Sequence, residues 1–139
     1  MAVIGPGDEP TVAAAEVGRL LAERGAVVVC GGRGGAMEAA CRGAKEADGL
    51  TVGILPGADR SDANPFVDVV LPTGLGEARN ALVVGAADVV IAIGGGYGTL
   101  SEIALALKAG KRVIGVGTWE IEGVAAAEDP EAAVAAALS

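Results

Sequence analysis

Run after run of apolar residues in this chain ends in a glycine-bearing turn, and that repeated pairing limits the available folds more than any other feature. The runs at 2–5 (AVIG), 26–30 (AVVVC), 50–56 (LTVGILP), 67–73 (VDVVLPT), 88–93 (DVVIAI) and 112–117 (RVIGVG) are short and rich in β-branched residues. Such runs mark strands buried on both faces. Between them lie stretches with helical spacing, at 11–25, 36–47, 76–87, from the last glycine turn to about 109, and at 128–138. Thr11 is placed to cap the first of these and Gly25 to end it, while Asp129 and Pro130 open the last. Strands alternating with helices imply a parallel sheet. The chain is therefore expected to form one domain over residues 1–139. Its expected class is α/β: a Rossmann-like three-layer sandwich with a parallel sheet of about six or seven strands and helices on both faces.

In such a sheet, ligands bind beyond the carboxyl ends of the strands. Those ends fall at GPG (5–7), GGRGG (31–35), LPGAD (55–59), PTGLGEAR (72–79) and GGGYGT (94–99). The last is the richest. Its glycines allow close backbone approach to a ligand, and the following helix offers unpaired N–H groups to an anion. A strand–helix turn without a ligand is the plain alternative. No Lys-Ser or Lys-Thr pair follows the glycines, so this is not a P-loop, and the turn after the first run has Pro10 where a dinucleotide fingerprint needs its third glycine.

Composition removes several function classes. There are 10 basic and 18 acidic residues, a net charge of -8, which disfavours a nucleic-acid polymer as partner. The aromatics are only Phe66, Tyr97 and Trp119, too few for a single-strand binder. With no His, there is no His-based triad or His metal site, and no metal site is expected. Cys30 and Cys41 lack zinc-like spacing and lie in apolar surroundings, which reads as buried, reduced thiols and a cytoplasmic location. No basic n-region precedes the first apolar run, and Asp88 interrupts the richest apolar stretch, so neither a signal peptide nor a membrane span is expected.

Two charged residues stand out. Thr99 and Glu102 have the spacing of a capping box, Thr as cap and Glu three residues on. Glu102 is equally a carboxylate one turn along from an anion site, aimed at a sugar or leaving group. Arg79 is followed at helical spacing by Leu82, Val83 and Ala86, so it lies on an apolar face at the ligand edge of the sheet. It suits a phosphate or carboxylate of a ligand, or a structural pair with Glu77 or Glu102. Arg33 faces either a ligand or solvent.

The stretch GGGYGTLSE (94–102) resembles the P-G-G-x-G-T-x-x-E motif of the LOG (Lonely Guy) family, formerly called lysine decarboxylase-like. EARNALVVGAADVVIAI (77–93) resembles the segment in which that family carries its catalytic Arg, and GGRGGAME (31–38) resembles its earlier G-G-G-x-x-G-L-M-G motif. The motif proline is Gly94 here, the usual H-E-R-K is GEARN, and the earlier motif is one residue shorter. These departures are similar to the short LOG-like subfamily that resembles molybdenum-cofactor carrier proteins.

The resemblance implies a nucleoside 5'-monophosphate phosphoribohydrolase, releasing base and ribose 5-phosphate, with Arg79 and Glu102 as the catalytic pair. It implies phosphate or nucleotide contacts from Gly94, Gly95, Gly96, Tyr97, Gly98 and Thr99, and from Gly5, Gly31, Gly32, Gly34 and Met37. No cofactor is required for that reaction, and a homodimer is implied. The alternative reading is a carrier for the molybdenum cofactor, a phosphorylated pterin, or a protein that binds nucleotide without turnover. In each case the partner is a small phosphorylated ligand.

Overall fold

The computed structural model describes residues 1–9 and 11–139. The order of elements is β1 (Ala2–Ile4), α1 (Val12–Glu23), β2 (Val28–Cys30), α2 (Ala36–Glu46), β3 (Thr51–Leu55), β4 (Val69–Pro72), α3 (Arg79–Gly85), β5 (Val89–Ile93), α4 (Tyr97–Lys108), β6 (Arg112–Val116), β7 (Val124–Ala126) and α5 (Pro130–Ala137). The strands form one seven-stranded sheet in the order β4-β3-β2-β1-β5-β6-β7, and all pairings are parallel. The expected class, a Rossmann-like three-layer α/β sandwich, is what the chain adopts.

Alternation along the strands splits the core in two. Val3, Val28, Val89, Ile91 and Ile93 face α1, α2 and α5, while Ala2, Ile4, Val29, Val90 and Ala92 face α3 and α4. On the first face α1 and α2 cross at glycines. A Cβ on Gly18 would lie 2.0 Å from the Ala40 carbonyl oxygen, and one on Gly43 would lie 1.9 Å from that of Ala15.

The sheet sets the site through its order. From β1 the chain builds outward through β2, β3 and β4, then returns to add β5 on the opposite side of β1. Between β1 and β5 the connections diverge, leaving a crevice beyond the strand ends. Gly5 leaves β1 there, where a Cβ would come within 2.7 Å of Ala36 Cβ and 2.8 Å of the Ile93 carbonyl oxygen.

Thr11 and Asp129 cap α1 and α5 as expected, through bonds from the Ala14 and Ala132 amides. Gly25 follows α1 with φ 78. The α4 boundary differs from expectation. That helix starts at Tyr97, its N-cap is Gly96, and no side chain caps it. The capping box of Thr99 and Glu102 is therefore absent. Thr99 lies inside the first turn and is buried, wedged beneath Gly95, where a Cβ would meet its side chain at 2.4 Å. No described helix is long and apolar enough to cross a membrane.

Candidate functional site

The glycine loop after β5 is held by its carbonyls. Thr118 Oγ1 donates to Gly94 O at 2.6 Å, Trp119 Nε1 to Gly96 O at 3.2 Å, and Ser101 Oγ to Gly98 O at 2.7 Å. Gly94 and Gly95 take φ of 53 and 115, open to glycine at little cost. Since α4 begins at Tyr97, its first amides have no intrahelical acceptor and present the positive end of the helix.

A cleft of about 220 Å³ opens beside this loop, and its walls include Gly5, Pro6, Met37, Arg79, Gly96 and Glu102. Gly98 and Thr99 complete the α4 side, with Gly7, Asp8, Glu77 and Asn80 at the remaining edges. Gly5, Met37, Arg79, Gly96, Gly98, Thr99 and Glu102, all named from sequence, thus come together in one place. Gly31, Gly32 and Gly34 stand outside the lining.

Gly31 serves Arg79 instead. A Cβ there would lie 2.0 Å from Arg79 Nη1 and 2.6 Å from Met37 Sδ. Gly32 has φ 78 and abuts Gly53 and Leu55 of β3. Gly34 lies near the Gly7 carbonyl oxygen. Gly94 and Gly95 line a separate depression with Gly117, Thr118 and Trp119. Tyr97 stacks on Trp119, ring centroids 6.2 Å apart at 27°.

Arg79 is only 8% exposed and occupies the first position of α3. Its Nη1 donates to Gly31 O at 2.6 Å and to Ile54 O at 2.8 Å, joining the ends of β2 and β3. The alternative of a structural pair with Glu77 or Glu102 gives way to these backbone acceptors, because the side chain runs under the strand ends. Arg79 Nε is buried without a partner among the described residues. A buried donor of this kind, in the wall of a cleft with exposed amides, fits an anionic ligand.

Burial raises the Glu102 carboxyl to about 7, with the field of Arg79 pulling the other way and Glu77 adding to the rise. Burial also lowers the Arg79 guanidinium from its ordinary value. Glu102 therefore exchanges its proton near neutral pH, while the arginine stays the fixed positive charge of the cleft.

Sequence reasoning passed over Asn80 and Trp119. The Asn80 amide lies between the Glu77 carboxylate (3.5 Å) and Ser101 Oγ (3.4 Å), bridging α3 to α4. Asn80 stood next to Arg79 in an otherwise apolar helix, which was a usable signal. Trp119 lay in a loop with no periodic pattern to place it. No group of three or more His, Cys, Asp or Glu side chains among the described residues is arranged to hold a metal ion. Cys30 and Cys41 are both buried and free, their sulfurs 3.4 Å apart.

A parallel sheet with a glycine-loop cleft at its switch point defines a Rossmann-like protein, a class in which ligands bind beyond the carboxyl ends of the strands. The chain matches the SLOG cluster4 family over residues 1–138 and belongs to it. It is similar to the molybdenum cofactor binding protein of Rippkaea orientalis: 42% identical, with 97% of this chain and 92% of that one covered and a TM-score of 0.91. It is also similar to the molybdenum cofactor carrier protein of Chlamydomonas reinhardtii, at 38% identity, the same coverages and a TM-score of 0.86. An uncharacterized protein of Archaeoglobus fulgidus is 49% identical over 136 residues, which is 95% of this chain and 89% of the relative.

Proposed function

We propose that this protein binds a phosphorylated pterin of the molybdenum-cofactor class and carries it without turnover. The observation that carries the reading is the Arg79 arrangement. Its Nη1 is committed to Gly31 O and Ile54 O, so the guanidinium is a fixed wall rather than a group free to move with a reaction, and its buried Nε awaits an acceptor. A phosphate among the first amides of α4 meets positive partial charge from the helix and full charge from Arg79. Glu102, held near its midpoint at neutral pH, takes up a proton as an anion enters and so removes the repulsion. The likeness to proteins described as binding or carrying the molybdenum cofactor supports the same choice of ligand.

The test is retention. Purified protein mixed with the released cofactor and passed through gel filtration should elute with it, and Arg79→Ala should elute without it. Cofactor that trails the wild-type protein entirely would overturn the carrier reading.

One observation favours a second reading, the LOG-type phosphoribohydrolase. Arg79 and Glu102 share the cleft, and a carboxyl titrating near 7 suits acid–base work on an N-glycosidic bond. Incubation with a panel of nucleoside 5'-monophosphates decides it: free base that depends on Glu102 supports hydrolysis, and its absence leaves the carrier.

The implied homodimer is proposed on the α3–α4 face, where Leu82 and Leu105 are 45% and 37% exposed beside exposed Ala81 and Ala104. The buried free thiols accord with a reducing, cytoplasmic compartment.

A further inference from the structure

The cleft beside Arg79, about 220 Å³, is smaller than the roughly 300–1,000 Å³ usual for a drug- or cofactor-sized ligand. It has room for a phosphate and the carbons next to it. A bicyclic ring attached to that phosphate must lie elsewhere.

A second cavity, of about 490 Å³, is lined by Trp119, Glu120, Ile121, Glu122, Val124 and Ala127 among others. Its origin is topological. Parallel neighbours such as β6 and β7 are ordinarily joined through a helix, but here residues 117–123 make the crossing as a loop. The floor includes Gly115 and Ala126 of the two strands, too small to fill the space. The depression at Gly94 and Gly95 shares Gly117, Thr118 and Trp119 with this cavity and so connects it to the glycine loop.

The aromatic residues sit at that junction. Trp119 is fixed by its bond to Gly96 O and stacks on Tyr97, which is 84% exposed. Two of the chain's three aromatics therefore stand at the ligand edge of the sheet rather than in its core. A rigid indole beside a cavity with Ile121 and Val124 offers a flat apolar surface to a planar ring. Glu120 and Glu122, both exposed and in the lining, offer carboxylate oxygens as hydrogen-bond acceptors. They match a ring edge that carries N–H donors.

We propose that this cavity is a second subsite, for a planar aminopyrimidinone-type heterocycle such as the ring of a pterin. Trp119 supplies the stacking surface and the Glu120 and Glu122 carboxylates accept the ring's N–H groups. That the same ligand places its phosphate at the glycine loop rests on the carrier reading above. The ring subsite is tested without any phosphate.

Trp119 is the single Trp of the chain, so its emission reports the subsite directly. 6-Hydroxymethylpterin should quench it saturably, and equilibrium dialysis should give the same affinity. Lumazine, which carries an oxo group in place of the 2-amino group, should bind at least about 10-fold more weakly, because an acceptor then faces the carboxylates. Trp119→Ala should weaken pterin binding by about 10- to 100-fold, the scale of losing one aromatic stack. Trp119→Phe should restore most of it, which separates stacking from a folding defect.

No saturable quenching at the solubility limit of the pterin, or affinity unchanged in Trp119→Ala, overturns the subsite and leaves the phosphate cleft and the carrier reading intact. Pterin binding that depends on Trp119, together with failure to retain the intact cofactor, supports the subsite and overturns the carrier reading.

Discussion

Glu102 holds its proton to about pH 7, chiefly because burial disfavours its charge. The consequence for stability runs opposite to that of a salt-bridged carboxylate. Below the ordinary value of 4.5 the group is protonated in both folded and unfolded chains and costs nothing. Between 4.5 and about 7 only the folded chain keeps the proton, so stability falls as pH rises, and above that window the full cost is present. Glu102→Gln removes the cost. The variant should match the parent at pH 4 and exceed it at pH 8, by on the order of 2 kcal/mol. Paired denaturant titrations at the two pH values check this, and a stability difference that ignores pH would contradict the buried carboxyl. Arg79→Ala leaves two buried strand-end carbonyls without their donor, and should cost about 2–4 kcal/mol in urea unfolding. Arg79 was legible in the sequence because a charge on an apolar helix face needs a reason. Its acceptors were not, because backbone carbonyls carry no residue identity. Thr99 and Glu102 misled for a related reason: their spacing matches a capping box, but Thr99 is instead drawn under Gly95 as a packing wedge.

Among the elements, the α1–α2 crossing is the most demanding contact in the fold. Gly18 and Gly43 let each helix backbone rest on the other, with no room for a methyl group on either. Gly18→Ala or Gly43→Ala improves helix propensity locally, by up to about 1 kcal/mol, yet forces the helices apart. The net result should be a loss of about 1–3 kcal/mol, seen as a lower melting temperature. A gain in melting temperature would mean that the crossing relaxes freely. Thr11→Ala is the milder case. It removes the acceptor for the Ala14 amide and should cost about 1 kcal/mol. The strands β1 to β6 could be read from their β-branched runs, but β4 lies at the sheet edge with Val69 and Leu71 exposed, so it is not the strand buried on both faces that its run suggested. β7 could not: three residues, Val124 to Ala126, with two alanines and partial exposure carry no periodic signal. Missing β7 also hid the helix-free crossing before it, and with it the cavity beside Trp119.

For the whole molecule, the charge of -8 favours solubility and repels polyanions, so the proposed anionic ligand would rely on local positive potential at Arg79 and the start of α4. If two copies join across α3 and α4, Leu82→Glu should place a charge in the joint and give a monomer by light scattering, with the melting temperature of the monomer unit unchanged. A dimer that survives the change puts the joint elsewhere. The arginine clasp has one more consequence, for the order in which the chain acquires its parts. Arg79 reaches carbonyls 48 and 25 residues away in sequence, so both bonds close only once β2 and β3 are aligned. Contacts that distant raise contact order and slow folding, and parallel sheets are slow in any case. The cleft wall at Arg79 should thus be among the last features to form during refolding. Stopped-flow refolding from urea with a fluorescent phospholigand present should show the ligand signal in the slowest phase, at a rate independent of ligand concentration.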